Sequence, residues 1–188
     1  MNSPLYRLFL IAALLVTFCR TSIAQTSQAA NDVNRIINQV INRLDQFNVH
    51  EFPPDTVFSP TPLGSYKEAD LLRRYRFYCD QRDSLKKIDT VNLPIYDFIN
   101  LELLRYLIQE QLNYYEFREY MNPILSDNGF HTSLAYETSG QYSTLSEFNQ
   151  YINKLRAFPI YAEQQMDLIR QGLALGISQP TIALTGFE

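Results

Sequence analysis

The sequence predicts an all-α protein of about five helices, most of them packed as antiparallel neighbours. Apolar residues recur at the helical period in several long stretches. Proline, glycine and capping residues lie at the ends of these stretches. No stretch alternates apolar and polar residues over the length of a typical strand. Helices joined by short connections pack side by side in reversed direction, which favours a helical bundle.

The first 24 residues have the pattern of a secretory signal peptide. Arg7 precedes an apolar core from Leu8 to Phe18, and Ser22 and Ala24 form a small-x-small cleavage site. We expect cleavage after Ala24, export to the periplasm or the cell exterior, and a disordered mature start at residues 25–30.

The same apolar core is shorter than the roughly 20 residues that span a bilayer, so a retained membrane anchor is the less favoured alternative. A lipid anchor on Cys19 is also less favoured, because Phe18 is bulkier than the residue usual before a lipidated cysteine. We therefore expect no stable membrane insertion.

The charge balance of the mature chain is acidic. Removing residues 1–24 takes Arg7 and Arg20 from the 16 basic residues and none of the 20 acidic ones, which leaves a net charge of −6. Nucleic-acid-binding domains are usually basic, so we expect no nucleic-acid partner. Cys79 is the single cysteine that remains, which excludes an intramolecular disulfide and favours a small buried apolar side chain over a nucleophile.

A first amphipathic helix is expected over residues 31–47. Its polar face lacks the Lys and Arg that membrane-surface helices carry, so we expect its apolar stripe to pack on other helices. The stripe consists of Val33, Ile36, Ile37, Val40, Ile41, Leu44 and Phe47.

Four prolines between His50 and Gly64 predict an extended connection after this helix. His50 and Glu51 begin the zinc motif H-E-x-x-H, but the second histidine would stand at Pro54. The motif is therefore absent.

A second helix is expected from Ser65 to about Lys87, with Ser65 and Glu68 as a capping box. Arg73, Arg74 and Arg76 could form an anion site. We favour a solvated face in which these arginines pair with acids one turn away.

A third helix is expected to begin at Pro94, because the first helical position needs no N–H. Its end is rich in aromatic and acidic residues, which could line a substrate cleft or hold a metal; a filled helix–helix interface is the favoured interpretation. The predicted buried face comprises Phe98, Leu101, Leu104, Ile108, Leu112 and Tyr115. The aromatic and acidic end comprises Tyr106, Glu110, Tyr114, Tyr115, Glu116, Phe117, Glu119 and Tyr120.

Residues 121–143 are expected to form a long irregular loop that contains His131. A lone histidine without ligand-spaced partners is a poor metal site.

Residues 144–180 predict a helical hairpin. Thr144 and Glu147 have the form of a capping box, Pro159 is expected to end one helix and begin the next, and Gly176 suits a left-handed residue past the second. The mid-helix Gly172 indicates close approach of another element. Two apolar faces are predicted, one with Phe148, Tyr151, Ile152 and Leu155, the other with Ala162, Met166, Ile169 and Leu173.

Three stretches resemble the domain-of-unknown-function family 885. Residues 151–159 read YINKLRAFP and residues 168–180 read LIRQGLALGISQP, which resemble the family patterns YL-x-RL-x-x-x-P and LLR-x-G-x-x-x-G-x-x-x-P. Residues 98–122 resemble the helix that precedes these two patterns in the family. The resemblance covers the chain from about Phe52 onward.

Members of this family are longer and are similar to helical zinc metallopeptidases, with a His-Glu-x-x-Pro-Gly-His element far downstream. That element does not occur in this sequence. The resemblance implies that residues 31–188 are the amino-terminal part of a longer protein whose remainder is their partner. It also implies that zinc and its ligands belong to that remainder, and that these helices wall a cleft for a peptide substrate.

Two functional hypotheses follow. The first is the amino-terminal helical portion of a secreted or periplasmic metallopeptidase-like hydrolase; the second is a self-contained secreted helical binding or scaffold module. The sequence contains two histidines and no catalytic-triad, phosphate-binding or dinucleotide-binding motif. We therefore assign no catalytic, cofactor-binding or metal-ligating residue within this chain.

Overall fold

A computed structural model describes residues 31–54, 58–91, 93–125, 128–132 and 142–181. The predicted signal peptide at residues 1–24 and the predicted mature start at residues 25–30 lie outside the described residues, as does most of the second half of the predicted loop.

The described residues contain four α-helices, which confirms the all-α prediction. Helix α1 covers residues 31–51, α2 Glu68–Lys86, α3 Ile95–Glu116 and α4 Leu145–Ala174. A 3₁₀-helix at Glu119–Met121 follows α3 and precedes a short antiparallel pair, β1 Ile124–Leu125 and β2 Asn128–Gly129. The helix count is one below the expected five because the predicted hairpin is a single helix.

Helices α1, α2 and α3 enclose one apolar core. A helix buries only one side against its neighbours. In each predicted apolar stripe, the residues along the centre line are buried. At the edges of the stripes, Ile41 and Phe98 are exposed, whereas Phe47 stacks on Phe77 of α2 with ring centroids 3.7 Å apart. The buried core comprises Val33, Ile37, Val40, Tyr78, Leu85, Ile88, Leu101, Leu104, Ile108 and Leu112, and Cys79 packs partly buried against it.

Polar contacts hold the ends of these helices. The Arg105 guanidinium donates to the carbonyl oxygen of Leu85 at 2.9 Å, where the last turn of α2 leaves carbonyls without helical partners. The Asn34 side chain donates to Asp97 at 3.1 Å and joins α1 to the start of α3.

The predicted starts of α2 and α3 need correction. Helix α2 begins at Glu68 without a side-chain cap, and the Ser65 hydroxyl donates to Asp70 at 2.6 Å, so the Ser65–Glu68 capping box is wrong. The Ser65 carbonyl accepts from Arg74 at 2.6 Å, which holds Ser65 outside the helix. Pro94 was predicted to be the first residue of α3. It is instead the N-cap, and the helix begins one residue later, at Ile95.

The predicted break at Pro159 is wrong, because α4 runs through this residue without interruption. Residues on both sides of the proline are tied to the same connection between α1 and α2. Asn153 donates to the Ser59 carbonyl at 2.8 Å, and Gln164 accepts from the Tyr66 N–H at 2.7 Å. These two ties hold both halves of α4 along one line, although proline removes one helical hydrogen bond.

The ends of α4 match the sequence prediction. Thr144 and Glu147 form the complete capping box, and Gly176 has φ of +76°. A Cβ added at Gly172 would lie 2.8 Å from the Met121 carbonyl oxygen, so the 3₁₀-helix is the element that approaches this glycine.

The predicted apolar faces of α4 are largely in solvent. Phe148, Leu155, Met166 and Leu173 are exposed, because α4 packs on the 3₁₀-helix and the α1–α2 connection, and not on the apolar core. The residues that α4 buries are Lys154, Gln165, Leu168 and Gly172. Among the described helices, none is long and apolar enough to cross a membrane.

Candidate ligand-binding cleft

A cleft of about 510 Å³ lies between the start of α2, the end of α3 with the 3₁₀-helix, and the second half of α4. This volume suits a small organic molecule or one or two peptide side chains. Its lining residues are Tyr66, Lys67, Glu68, Leu71, Leu72, Tyr75, Tyr115, Glu116, Tyr120, Met121, Gln164, Asp167, Leu168 and Gln171.

Three tyrosine rings follow one another along one wall of the cleft. The centroids of Tyr75 and Tyr115 are 6.1 Å apart, as are those of Tyr115 and Tyr120. The Tyr75 hydroxyl donates to the Glu116 carboxylate at 3.3 Å. The wall therefore presents aromatic faces and an oriented carboxylate side by side.

Tyr75 and Tyr115 of this wall stay protonated over the neutral range. Burial raises the pKa of Tyr115 and that of its neighbour Tyr114 above the ordinary tyrosine value. Hydrogen bonding to Cys79 is the main cause that raises the pKa of Tyr75, and Glu116 adds to it. Their hydroxyls therefore remain available as hydrogen-bond donors.

A buried ion pair supports the cleft from beneath. Arg74 is 3% exposed and donates to the Glu51 carboxylate at 2.7 Å, while its guanidinium lies over the rings of Phe52 and Tyr66 at 5.0 and 5.2 Å. Glu51, at 5% exposed, also accepts hydrogen bonds from Arg73.

The three arginines of α2 therefore have different environments. The solvated face predicted for them is wrong for Arg74, because the end of α1 brings Glu51 over it. Arg73 is exposed and pairs with Asp70 at 2.8 Å as well as with Glu51. Arg76 is exposed, as expected.

Tyr66 connects the buried pair of Arg74 and Glu51 to α4. Besides the backbone hydrogen bond from Tyr66 to Gln164, its ring packs edge-on against Tyr161 at 5.6 Å between centroids. The cleft is thus closed at one end by a direct contact between the α1–α2 connection and α4.

Acidic groups outnumber basic ones around the cleft. Glu68, Glu116 and Asp167 face a single lysine, Lys67. Asp167 is partly neutralised by Arg170 at 2.6 Å, whereas Glu68 and Glu116 form no ion pair with any described residue.

The aromatic end of α3 divides between two environments. Tyr115 packs against Tyr75 and Tyr78 of α2, as the interface interpretation predicts, and Tyr115 and Tyr120 also line the cleft. Tyr106 and Phe117 are exposed.

The two histidines remain apart from this cleft. His50 lies at the end of α1 and His131 lies exposed beside Phe130. Among the described residues, no group of three or more His, Cys, Asp and Glu side chains is placed to hold a metal ion.

Sequence reasoning found Tyr115, Glu116 and Tyr120 of the cleft but missed Tyr66, Tyr75 and most of its polar residues. The density of tyrosines at the end of α3 is a readable signal. Gln164 and Gln171 look like ordinary surface residues in the sequence, and Glu68 was assigned only to a helix cap; the approach of α4 to α2 brings the three together.

A comparison of the chain with protein-family models, with curated proteins and with solved structures finds no match. The resemblance to family 885 therefore stays a hypothesis, and the geometry of the cleft carries the functional argument.

Proposed function

We propose that the described helices form a ligand-binding element that holds a peptide in the tyrosine-walled cleft. The observation that carries this proposal is the cleft itself, which combines a row of neighbouring tyrosine rings with a few fixed polar groups. Binding sites for organic ligands commonly have this composition. The buried pair of Arg74 and Glu51 holds the wall in place before any ligand arrives, which lowers the ordering cost of binding.

We further propose that this element belongs to a secreted or periplasmic hydrolase of the zinc metallopeptidase type, with zinc and its ligands elsewhere in the protein. The sequence resemblance supports this. A row of exposed apolar residues along α3 supports it too, since such a row forgoes the free energy of burial unless further protein covers it. The row consists of Tyr96, Ile99, Leu103, Tyr106 and Leu107.

A self-contained binding module is the second candidate. It is favoured by the core, which α1, α2 and α3 build among themselves, and by the cleft, whose wall comes from described residues of this one chain.

A substitution that fills the cleft tests whether a peptide binds there. Gln171 is an exposed residue of the lining, so Gln171→Trp should occupy the cavity without disturbing the core. Saturation-transfer NMR with a mixture of acetylated random tripeptides should show binding to the wild-type chain and at least about a tenfold weaker signal with this variant.

The matched control is Ala174→Trp, which places the same ring on an exposed position of α4 outside the cleft. Equal peptide binding by both variants, or no binding by the wild-type chain, would reject the cleft as the binding site.

A further inference from the structure

We propose that the cleft selects an organic cation on an apolar stem, such as the guanidinium or ammonium group of a basic peptide side chain. This inference rests on the proposed function and names the chemical class of its ligand. Three features of the cleft support it: its uncompensated carboxylates, its aromatic faces and the helix end that it contains.

Glu116 is the centre of the argument. It ends α3, lines the cleft, and forms no ion pair with any described cation. The hydrogen bond from the Tyr75 hydroxyl aims one carboxylate oxygen and leaves the other free. A guanidinium or ammonium group that donates to this carboxylate would gain a charge-assisted hydrogen bond.

The aromatic faces suit the same ligand. A cation within about 6 Å of a tyrosine ring is attracted by the negative face of the ring. Tyr75 donates to Glu116 and Tyr115 precedes it in the chain, so a cation at this carboxylate would also lie close to tyrosine rings. The apolar stem of the ligand would have Leu71, Leu72 and Leu168 as its neighbours.

The helix dipoles point the same way. The C-terminal end of α3 carries partial negative charge, and its last turn contains no basic residue to balance it. The N-terminal end of α2, which would attract an anion, already has Glu68 and Asp70 in its first turn. The end of α3 therefore adds to the negative charge of Glu116, and Arg118 is the next basic residue in the chain.

The test compares two ligands of nearly the same shape. Nα-acetyl-arginine amide carries a guanidinium, and Nα-acetyl-citrulline amide carries a neutral urea in its place. Isothermal titration at low ionic strength should show that the wild-type chain binds the arginine ligand about fivefold or more tightly than the citrulline ligand.

Three variants locate the preference. Glu116→Gln keeps an acceptor for Tyr75 and removes the charge, so it should abolish most of the preference. Glu110→Gln, on an exposed part of α3 outside the cleft, should leave it unchanged. Lys67→Met should strengthen binding of the arginine ligand by roughly two- to fivefold, because it removes a like charge.

A separate comparison distinguishes a free small molecule from a peptide side chain as the source of the cation. n-Butylguanidinium has the same single guanidinium charge without the peptide groups; tighter binding of n-butylguanidinium identifies a free small molecule, and tighter binding of acetyl-arginine amide identifies a peptide side chain. Either result supports the cation assignment. Equal binding of the arginine and citrulline ligands, lost in Gln171→Trp, would overturn the assignment while the cleft remains a binding site. Absence of all binding would reject the proposed function as well.

Discussion

The pair of Arg74 and Glu51 holds the end of α1 and the α1–α2 connection against α2. Both are buried, and the arginine donates to Glu51 and to the Ser65 carbonyl and lies over two aromatic rings. A buried ion pair adds little net stability compared with an apolar pair of the same size, but removing one partner leaves the other charged and buried. The position of the α1–α2 connection on α2 therefore depends on both partners.

Arg74→Met should lower the free energy of unfolding by about 1–3 kcal/mol, measured by urea denaturation, because Glu51 keeps Arg73 as a partner but loses its buried hydrogen bond. Arg76→Met changes an exposed arginine two residues away and should stay within about 0.5 kcal/mol of the wild type. The double variant Glu51→Met with Arg74→Met should recover much of the loss, because no buried charge remains. Similar losses for Arg74→Met and Arg76→Met would contradict the buried role of Arg74.

Asp70 is expected to make stability depend on pH in the acid range. The hydrogen bond from Ser65, followed by the contacts with Arg73, lowers the pKa of Asp70. A lowered folded-state pKa means that the unfolded chain binds protons first, so the contribution is present above the unfolded pKa and is lost as pH falls through the folded one. Asp70→Asn should flatten the fall in melting temperature below about pH 4.

The matched control for this titration is Glu68→Gln in the same turn of α2. It should follow the wild-type pH profile more closely than Asp70→Asn does. A wild-type profile retained in Asp70→Asn would show that other carboxylates cause the acid loss.

At the scale of elements, α4 is the part where local and tertiary preferences disagree. Proline inside a helix costs about 3 kcal/mol relative to alanine, and the sequence around Pro159 also reads well as two helices. The contacts of Asn153 and Gln164 with the α1–α2 connection keep one continuous helix instead. The same arrangement leaves Phe148, Leu155, Met166 and Leu173 of α4 exposed, while Leu168 is buried.

Pro159→Ala should therefore stabilise the protein, by up to about 3 kcal/mol, because alanine restores the helical hydrogen bond that proline lacks. Thermal denaturation followed by circular dichroism measures this directly. In a helical hairpin the same change would remove a favourable first-turn proline, so a lower melting temperature would argue for two helices.

Gly172→Ala tests the contact between α4 and the 3₁₀-helix. Alanine favours a helix by about 1 kcal/mol over glycine, but the added Cβ would lie 2.8 Å from the backbone carbonyl of Met121. The overlap should win, and we expect a net loss of about 1–3 kcal/mol in unfolding free energy. Gln171→Ala, exposed on the adjacent position, is the control and should be close to neutral; stabilisation by Gly172→Ala would show that the contact is loose.

At the scale of the whole molecule, apolar residues occur both in the packed core and on an exposed surface. Helix α3 illustrates the division, since its buried side carries Leu101 and Leu104 and its opposite side carries Leu103 and Leu107 in solvent. Each exposed leucine forgoes roughly 1.5–3 kcal/mol of burial free energy. We expect the isolated chain to bind an apolar dye or to self-associate.

Leu103→Glu should reduce dye binding and self-association while the melting temperature stays nearly unchanged, because Leu103 is 56% exposed. Leu104→Glu, at a neighbouring residue that is 7% exposed, should unfold the protein or lower its stability by several kcal/mol. Dye fluorescence and sedimentation velocity provide the readouts. A wild-type chain that stays monomeric, melts cooperatively and binds no dye would favour the self-contained module over the hydrolase portion.

Features that depend on residues close together in the chain were readable from the sequence. The core-facing positions of α1 and α3 other than Ile41 and Phe98, the Thr144–Glu147 capping box and the positive φ of Gly176 were predicted correctly. Each of these rests on side-chain spacing within a few turns, or on one residue's backbone preference. Tyr115 and Tyr120 of the cleft were noticed too, but they could not be separated from an interface filler.

Only the tertiary structure decided the partner of Arg74, the course of α4 through Pro159 and the composition of the cleft. Glu51 lies 23 residues from Arg74, and Tyr66 lies 98 residues from the glutamine that it contacts. Helical periodicity predicts which side of a helix is apolar but contains no information about which distant segment lies against it. A charged residue can be buried, and an apolar stripe left in solvent, because the free energy of each depends on what packs over it.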